Sequence, residues 1–313
     1  MSPAPVLRAT GGAAAAAAAW GMEGLSLEIL DPGRLSAPRP GVMEPVLTAP
    51  CDVEQVRALA DWILPVVVSE SPGLSSCVPG LHLSAAGPMD RSLLDELAAR
   101  PPGRLRPSAR ELESESAGLA LPMILHNFGN RLVGLVGNLE LAAIYPAGSE
   151  KSSLKIEAAR ASAGEVKGYL ERLSALGSPG RSRPESSGGP FGAALETAGL
   201  IRGRAVTLES GPGGTAESDS AYPSGAVSAA VAIVTAALLR LGGAGSLTVG
   251  RCAASGILVS WERPDTEVPS LPGLALVPSV LIGATAVAAR EGFRIAVNAL
   301  GDLGGSISCL WGE

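Results

Sequence analysis

The sequence predicts an α+β protein in which a long helical hairpin precedes a sandwich of strands and helices. Three observations lead there. Leu121, Leu125, Phe128, Leu132, Leu135, Leu139 and Ala142 are spaced by alternating steps of four and three. That is the seam of a helix packing against other helices. Ile156, Ala159, Ala163, Val166, Leu170 and Leu173 repeat the spacing after a short turn. Beyond residue 190, strand-like and helix-like segments alternate, the pattern of a sheet covered by helices.

The 313 residues suggest about two domains. Hydrophobic residues make up 46% and charged residues 17%, a globular balance. Polar chemistry is scarce: the chain holds two His, four Asn and one Gln. Two imidazoles exclude a multi-histidine metal site. The formal net charge is −6. Nucleic-acid binders carry clustered basic surface, and none is visible, so nucleic acid is not an expected partner. Cys51, Cys77, Cys252 and Cys309 form no C-x-x-C pair. That argues against a zinc ribbon or a thioredoxin-type site and for small buried side chains in a reducing compartment.

Residues 1–108 read as an N-terminal region of unknown fold, Ala/Gly/Pro-rich and partly disordered. A strand is predicted at Leu25–Leu30. A helix is predicted over 52–68, with Asp52 as N-cap and Val56, Leu59 and Ile63 on one face. A short helix follows at Asp90–Ala99, and His82 reads as a structural residue in a loop. The seven Ala at 13–19 make a poor signal-peptide core. No run approaches the ~20 apolar residues that span a bilayer. The expectation is a soluble cytoplasmic protein with no membrane span.

Residues 109–177 form the expected hairpin. Pro122 is predicted to kink or restart its first helix. Gly129, Gly134 and Gly137 each weaken it by about 1 kcal/mol relative to Ala, so packing must support it. Residues 144–151 are the turn, and the second helix covers about 152–176. One hairpin cannot bury both seams, so a homodimer closing a four-helix bundle is expected. Residues 178–190 are a low-complexity linker. Residues 191–313 then read as helix 191–201, strand 204–209, helix 224–241, strands 246–250 and 255–261, helix 276–291, and strands 293–299 and 305–311.

Against this frame, the scarce polar groups are clustered. Asn127, Asn130 and Asn138 lie within thirteen residues of His126. His126 and Asn130 are four apart, share one helix face and point away from the seam. An exposed imidazole on a rigid helix is a good nucleophile near neutral pH and can carry a labile phosphoryl group.

The string Leu125-His126-Asn127-Phe128-Gly129-Asn130-Arg131-Leu132, continuing to Ala142, resembles the phospho-acceptor helix of sensor histidine kinases, with its H-[DEN]-x-x-N-x-L core. The order of hairpin, linker and α+β domain matches that family across about residues 115–313. The resemblance implies that His126 is the phosphorylated nucleophile. It places Asn127 where the family has an acidic residue acting as a base, a task an amide cannot perform. Asn130 falls where an Asn or Thr helps position water against a partner's phospho-aspartate.

The last domain resembles the family's ATP-binding domain in layout but departs from it in chemistry. Ala236 stands near the position of an Asn that binds magnesium and phosphate. The expected Asp-x-Gly-x-Gly loop is replaced by residues 262–269, where Asp265 is the only match and the glycines are missing. Before the last long helix only Gly273 and Gly283 are nearby. Transfer from ATP relies on such metal and phosphate ligands, so ATP binding is expected to be weak or lost. The string Gly211-Pro212-Gly213-Gly214-Thr215 lacks a G-K-[ST] ending and reads as a loop.

The resemblance therefore implies a two-component signalling protein with a degenerate nucleotide site. It would act as histidine phosphotransferase or phosphatase toward a response-regulator receiver domain, with no cofactor of its own and magnesium on the receiver. Two other readings are a non-catalytic pseudokinase scaffold and an active kinase with an unusual ATP pocket.

Overall fold

The computed structural model describes residues 6–11, 13, 15, 26–30, 44–49, 63–69, 80–85, 89, 93–95, 97, 108–176, 189–202, 205–210, 222–242, 244–252, 256–264, 277–300 and 303–311. Five strands come from the first third: β1 (Val6–Thr10), β2 (Ser26–Leu30), β3 (Glu44–Thr48), β4 (Ile63–Ser69) and β5 (Gly80–Ser84). They pair in parallel in the order β2-β1-β3-β4-β5, a strand order that flavodoxin-like sheets share. Val66, Val67 and Val68 are all buried, so β4 is covered on both faces. Strands of buried parallel sheets carry such unbroken apolar runs.

This corrects two expectations. The helix predicted over 52–68 is not formed in its second part, because Ile63–Ser69 is a central strand; residues 52–62 lie outside the described ones. His82 sits in β5 with 1% exposure, not in a loop. The strand expected at Leu25–Leu30 is β2. The helix expected at Asp90–Ala99 is represented by helical residues at Leu93, Leu94, Asp95 and Leu97, whose leucines are buried.

Helix α1 (Ala109–Ile144) and helix α2 (Glu150–Leu176) form the hairpin. At α1's start, the Glu111 N–H donates to the Ser108 hydroxyl at 3.2 Å. Ser108 N–H donates back to the Glu111 carboxylate at 2.6 Å, a reciprocal cap. The helix runs as one element through Pro122, without a restart. Its first half buries Leu112, Ser116, Ala120 and Ile124, one residue per turn. Gly148, at φ 78°, supplies the left-handed residue of the turn into α2.

The remaining chain reads α3 (Gly189–Ile201), β6 (Ala205–Ser210), α4 (Gly225–Leu241), β7 (Ala244–Cys252), β8 (Gly256–Glu262), α5 (Val277–Glu291), β9 (Arg294–Leu300) and β10 (Gly304–Leu310). These bounds lie close to the expected ones. Strands β7, β8, β10 and β9 pair antiparallel, and β6 joins β7 in parallel. Strand β9 also pairs with β5, Leu81 opposite Ile295. The first and last thirds of the chain therefore share one mixed sheet, of ten strands among the described residues.

Helix α4 is buried along nearly its whole length, between α3, α5, the sheet and α1. Its many alanines keep the cylinder thin enough for neighbours on every side. Gly242, at φ 65°, ends it by donating its N–H to the Leu238 carbonyl. Glu113 of α1 accepts a hydrogen bond from the Ser228 hydroxyl of α4 at 2.7 Å. The first half of α1 thus belongs to the α/β body.

Among the described residues, no helix is long and apolar enough to cross a membrane.

Candidate functional site

The candidate site lies where α1 leaves the α/β body. Ile124 is the last residue of the buried four-step face, and His126 follows two positions later. A helix turns about 100° per residue, so neighbours in sequence face different surroundings. His126 and Asn130 are both exposed. The Asn130 amide nitrogen lies 3.1 Å from His126 Nε2. In the tautomer with its proton on Nδ1, the ring accepts from the Asn130 amide through Nε2. In that tautomer the nitrogen held by Asn130 carries the lone pair.

Asn127 turns the other way. Its side-chain amide donates to the Ile201 carbonyl at 2.8 Å and the Arg202 carbonyl at 3.0 Å, with the Leu200 oxygen at 3.4 Å. These oxygens close the C-terminal end of α3, where a helix has no intrahelical partners for its carbonyls. Of the three residues singled out from sequence, His126 and Asn130 are brought together, and Asn127 is placed in a different environment.

Tyr169 was not singled out, yet it holds this junction. It is fully buried, and its hydroxyl lies 3.0 Å from the Ile124 carbonyl and 2.8 Å from the Leu200 carbonyl. Its ring stacks on Phe128 at 6.2 Å between centroids and carries the Arg131 guanidinium 5.3 Å above it. Arg131 also pairs with Glu165 of α2 at 2.7 Å. That pair is largely exposed and orders the side chain more than it stabilises the fold. The expected α2 seam used Leu170 instead. Leu170 is 47% exposed and Tyr169 takes the inward position there, while Ala159 and Leu173 keep theirs. Tyr169 was detectable only as one of three Tyr in the chain, close to a seam position.

Beyond the site, much of the hairpin seam is open. Of the expected seams, Leu121, Leu125 and Leu139 of α1 are exposed, as are Ile156 and Leu170 of α2. Asn138 donates to the Gly134 carbonyl of its own helix at 2.9 Å and takes no part in the site.

The position tied to nucleotide binding does not fit a magnesium–phosphate group. Ala236 is 1% exposed inside α4 and offers only a methyl. Gly283 is buried inside α5. Asp265, Gly273 and residues 211–215 lie outside the described ones. Among the described residues, no three His, Cys, Asp or Glu side chains gather to hold a metal ion. Cys309 is buried, and burial pushes its thiol far above the usual range; burial raises Cys252 as well. Neither is set up as a thiolate nucleophile.

No protein-family model matches this chain, and no curated protein matches it in sequence. A solved structure described as a bacterial phosphotransferase superposes with a TM-score of 0.34 and 14% identity, covering 62% of this chain and 95% of that one. At that level the likeness carries no weight for fold or function.

Proposed function

We propose that this chain is a histidine phosphotransferase of two-component signalling, with His126 as the phosphoryl carrier. One observation carries the reading: an exposed imidazole, engaged through Nε2 by Asn130, stands on a helix whose opposite side is anchored in the α/β body. The partner would be a response-regulator receiver domain carrying phospho-aspartate and its own magnesium. The Nε2 lone pair attacks phosphorus as Asn130 swings off it. An N–P bond forms, the P–O bond to the aspartate breaks, and the carboxylate leaves with the electron pair. The return step runs the same path backwards. Asn130 also stands where its amide would orient a water for hydrolysis of the phospho-aspartate.

Residues 109–177 would present the acceptor, and 191–313 would serve as a degenerate ATPase-like support joined through 178–190. The open apolar seam supports a homodimer in which a second copy completes a four-helix bundle. The buried methyl of Ala236 supports a carrier rather than an ATP-using kinase. The test is to mix the purified chain with a receiver domain labelled on its phospho-aspartate. Acid-labile label is expected on the chain and not on His126→Gln. Label that stays on the receiver, or reaches His126→Gln equally, contradicts the proposal. A pure scaffold would bind the receiver unchanged in His126→Ala and take no label even in the native chain.

A further inference from the structure

We propose that Asn127 is a positioning residue: it latches the phospho-acceptor helix onto the C-terminal end of α3 and fixes the α/β body beside His126. Its transfer arm rests on the reading of His126 as acceptor; its structural arm does not. The last carbonyls of α3 lack intrahelical partners and sit at the negative end of the helix dipole. A primary amide brings two N–H groups and no net charge, and Asn127 directs them at Ile201 and Arg202. Tyr169 reaches the neighbouring Leu200 oxygen from α2 and the Ile124 oxygen of α1. Three helices therefore meet one residue away from His126.

This gives a structural reason for the departure from the kinase pattern at position 127. A carboxylate there would face three carbonyl oxygens without a proton to share. The residue that forfeits the family's base is the residue that makes the lock. A locked body presents a receiver with one docking geometry, whereas a loose one must first be selected from several, which lowers apparent affinity.

The experiment uses the full chain as native protein, Asn127→Ala, Asn127→Asp and Tyr169→Phe. Hydrogen–deuterium exchange read by mass spectrometry follows the amides of residues 198–202. Losing the latch is expected to speed their exchange about tenfold in both Asn127 variants, with β7–β10 unchanged. Tyr169→Phe keeps the ring on Phe128 and removes one hydroxyl. It is expected to speed the same turn to a smaller extent, and it reads the latch even if an Asn127 variant does not fold. Unchanged exchange in all three variants overturns the proposal.

The second readout varies the concentration of phosphorylated receiver. Half-saturation is expected to rise by the factor seen in exchange, at an unchanged saturating rate. A lower saturating rate with native exchange would make Asn127 a participant in the chemistry and overturn the latch. If the native chain takes no phosphate, the acceptor reading fails, and the exchange arm still decides the latch alone.

Discussion

The two halves of α1 share one helix and live in different surroundings. From Ala109 to Ile124, each turn buries a residue against α4 and α5. From Leu125 to Ile144, only Ala142 is buried, and Val133 and Ile144 are 72% and 75% exposed. Composition does not distinguish the halves, since both carry regularly spaced apolar residues. What differs is the supply of partners: the first half has the α/β body, and the second, past the contacts of Asn127 and Phe128, has α2. His126 sits at the border, where a rigid foundation ends and an open surface begins. A phosphoryl carrier needs both, because its nucleophile must be held still and still be reached.

Exchanging the character of the halves tests that contrast, starting with the largest expected effect. Leu112→Ala, at a fully buried position, is expected to cost about 3 kcal/mol in denaturant unfolding. Val133→Ala, in the open half, is expected to change the same quantity by less than about 0.5 kcal/mol. Equal losses would erase the distinction. The combination Leu121→Glu with Leu139→Glu, both exposed seam positions, places charges on the face assigned to a second copy. It is expected to weaken self-association by about tenfold or more, measured by sedimentation velocity, with monomer folding intact. Native-like association would remove that face from the dimer.

Ser116 supplies a finer probe within the buried half. Its hydroxyl is fully buried and has no hydrogen-bond partner among the described residues. Ser116→Ala is therefore expected to raise stability by about 1 kcal/mol, the opposite sign from Leu112→Ala, in the same unfolding assay. Glu111 supplies the smallest effect. The hydrogen bond from the Ser108 backbone, and secondarily its hydroxyl, hold this carboxyl below its ordinary range. A lowered folded pKa adds stability above the unfolded pKa, and that stability is lost as pH falls through the folded value. Glu111→Gln is expected to flatten this acid limb slightly in thermal melts taken across pH and to leave neutral pH nearly unchanged.

The same contrast of surroundings explains what was legible in the sequence. Segments 191–201, 224–241 and 276–291 were readable because their helical runs are bounded by Gly, Pro and short strands. The hairpin was readable from its repeating seams. Of the five parallel strands in the first third, β2 was readable and β4 reads as helix. Strand β4, with Pro65-Val66-Val67-Val68 at its centre, is apolar on both faces, and such a run does not distinguish a buried strand from a buried helix. His126 and Asn130 could be paired because four residues make one helical turn. Asn127 could not be understood that way. Its partners are backbone oxygens more than seventy residues away, and carbonyls have no signature in a residue pattern. Tyr169 displaced Leu170 from the inward face for a related reason: the seam was drawn for two helices, while the junction is made by three.

The central claim is that His126 carries the phosphoryl group. The most direct measurement is tandem mass spectrometry, under conditions that preserve phosphohistidine, of the chain after incubation with a phosphorylated receiver domain. Phosphate confined to the peptide bearing His126, with fragment ions placing it on that imidazole, is the predicted result. Phosphate on another residue, or an unmodified His126 peptide while the receiver keeps its label, would contradict the account.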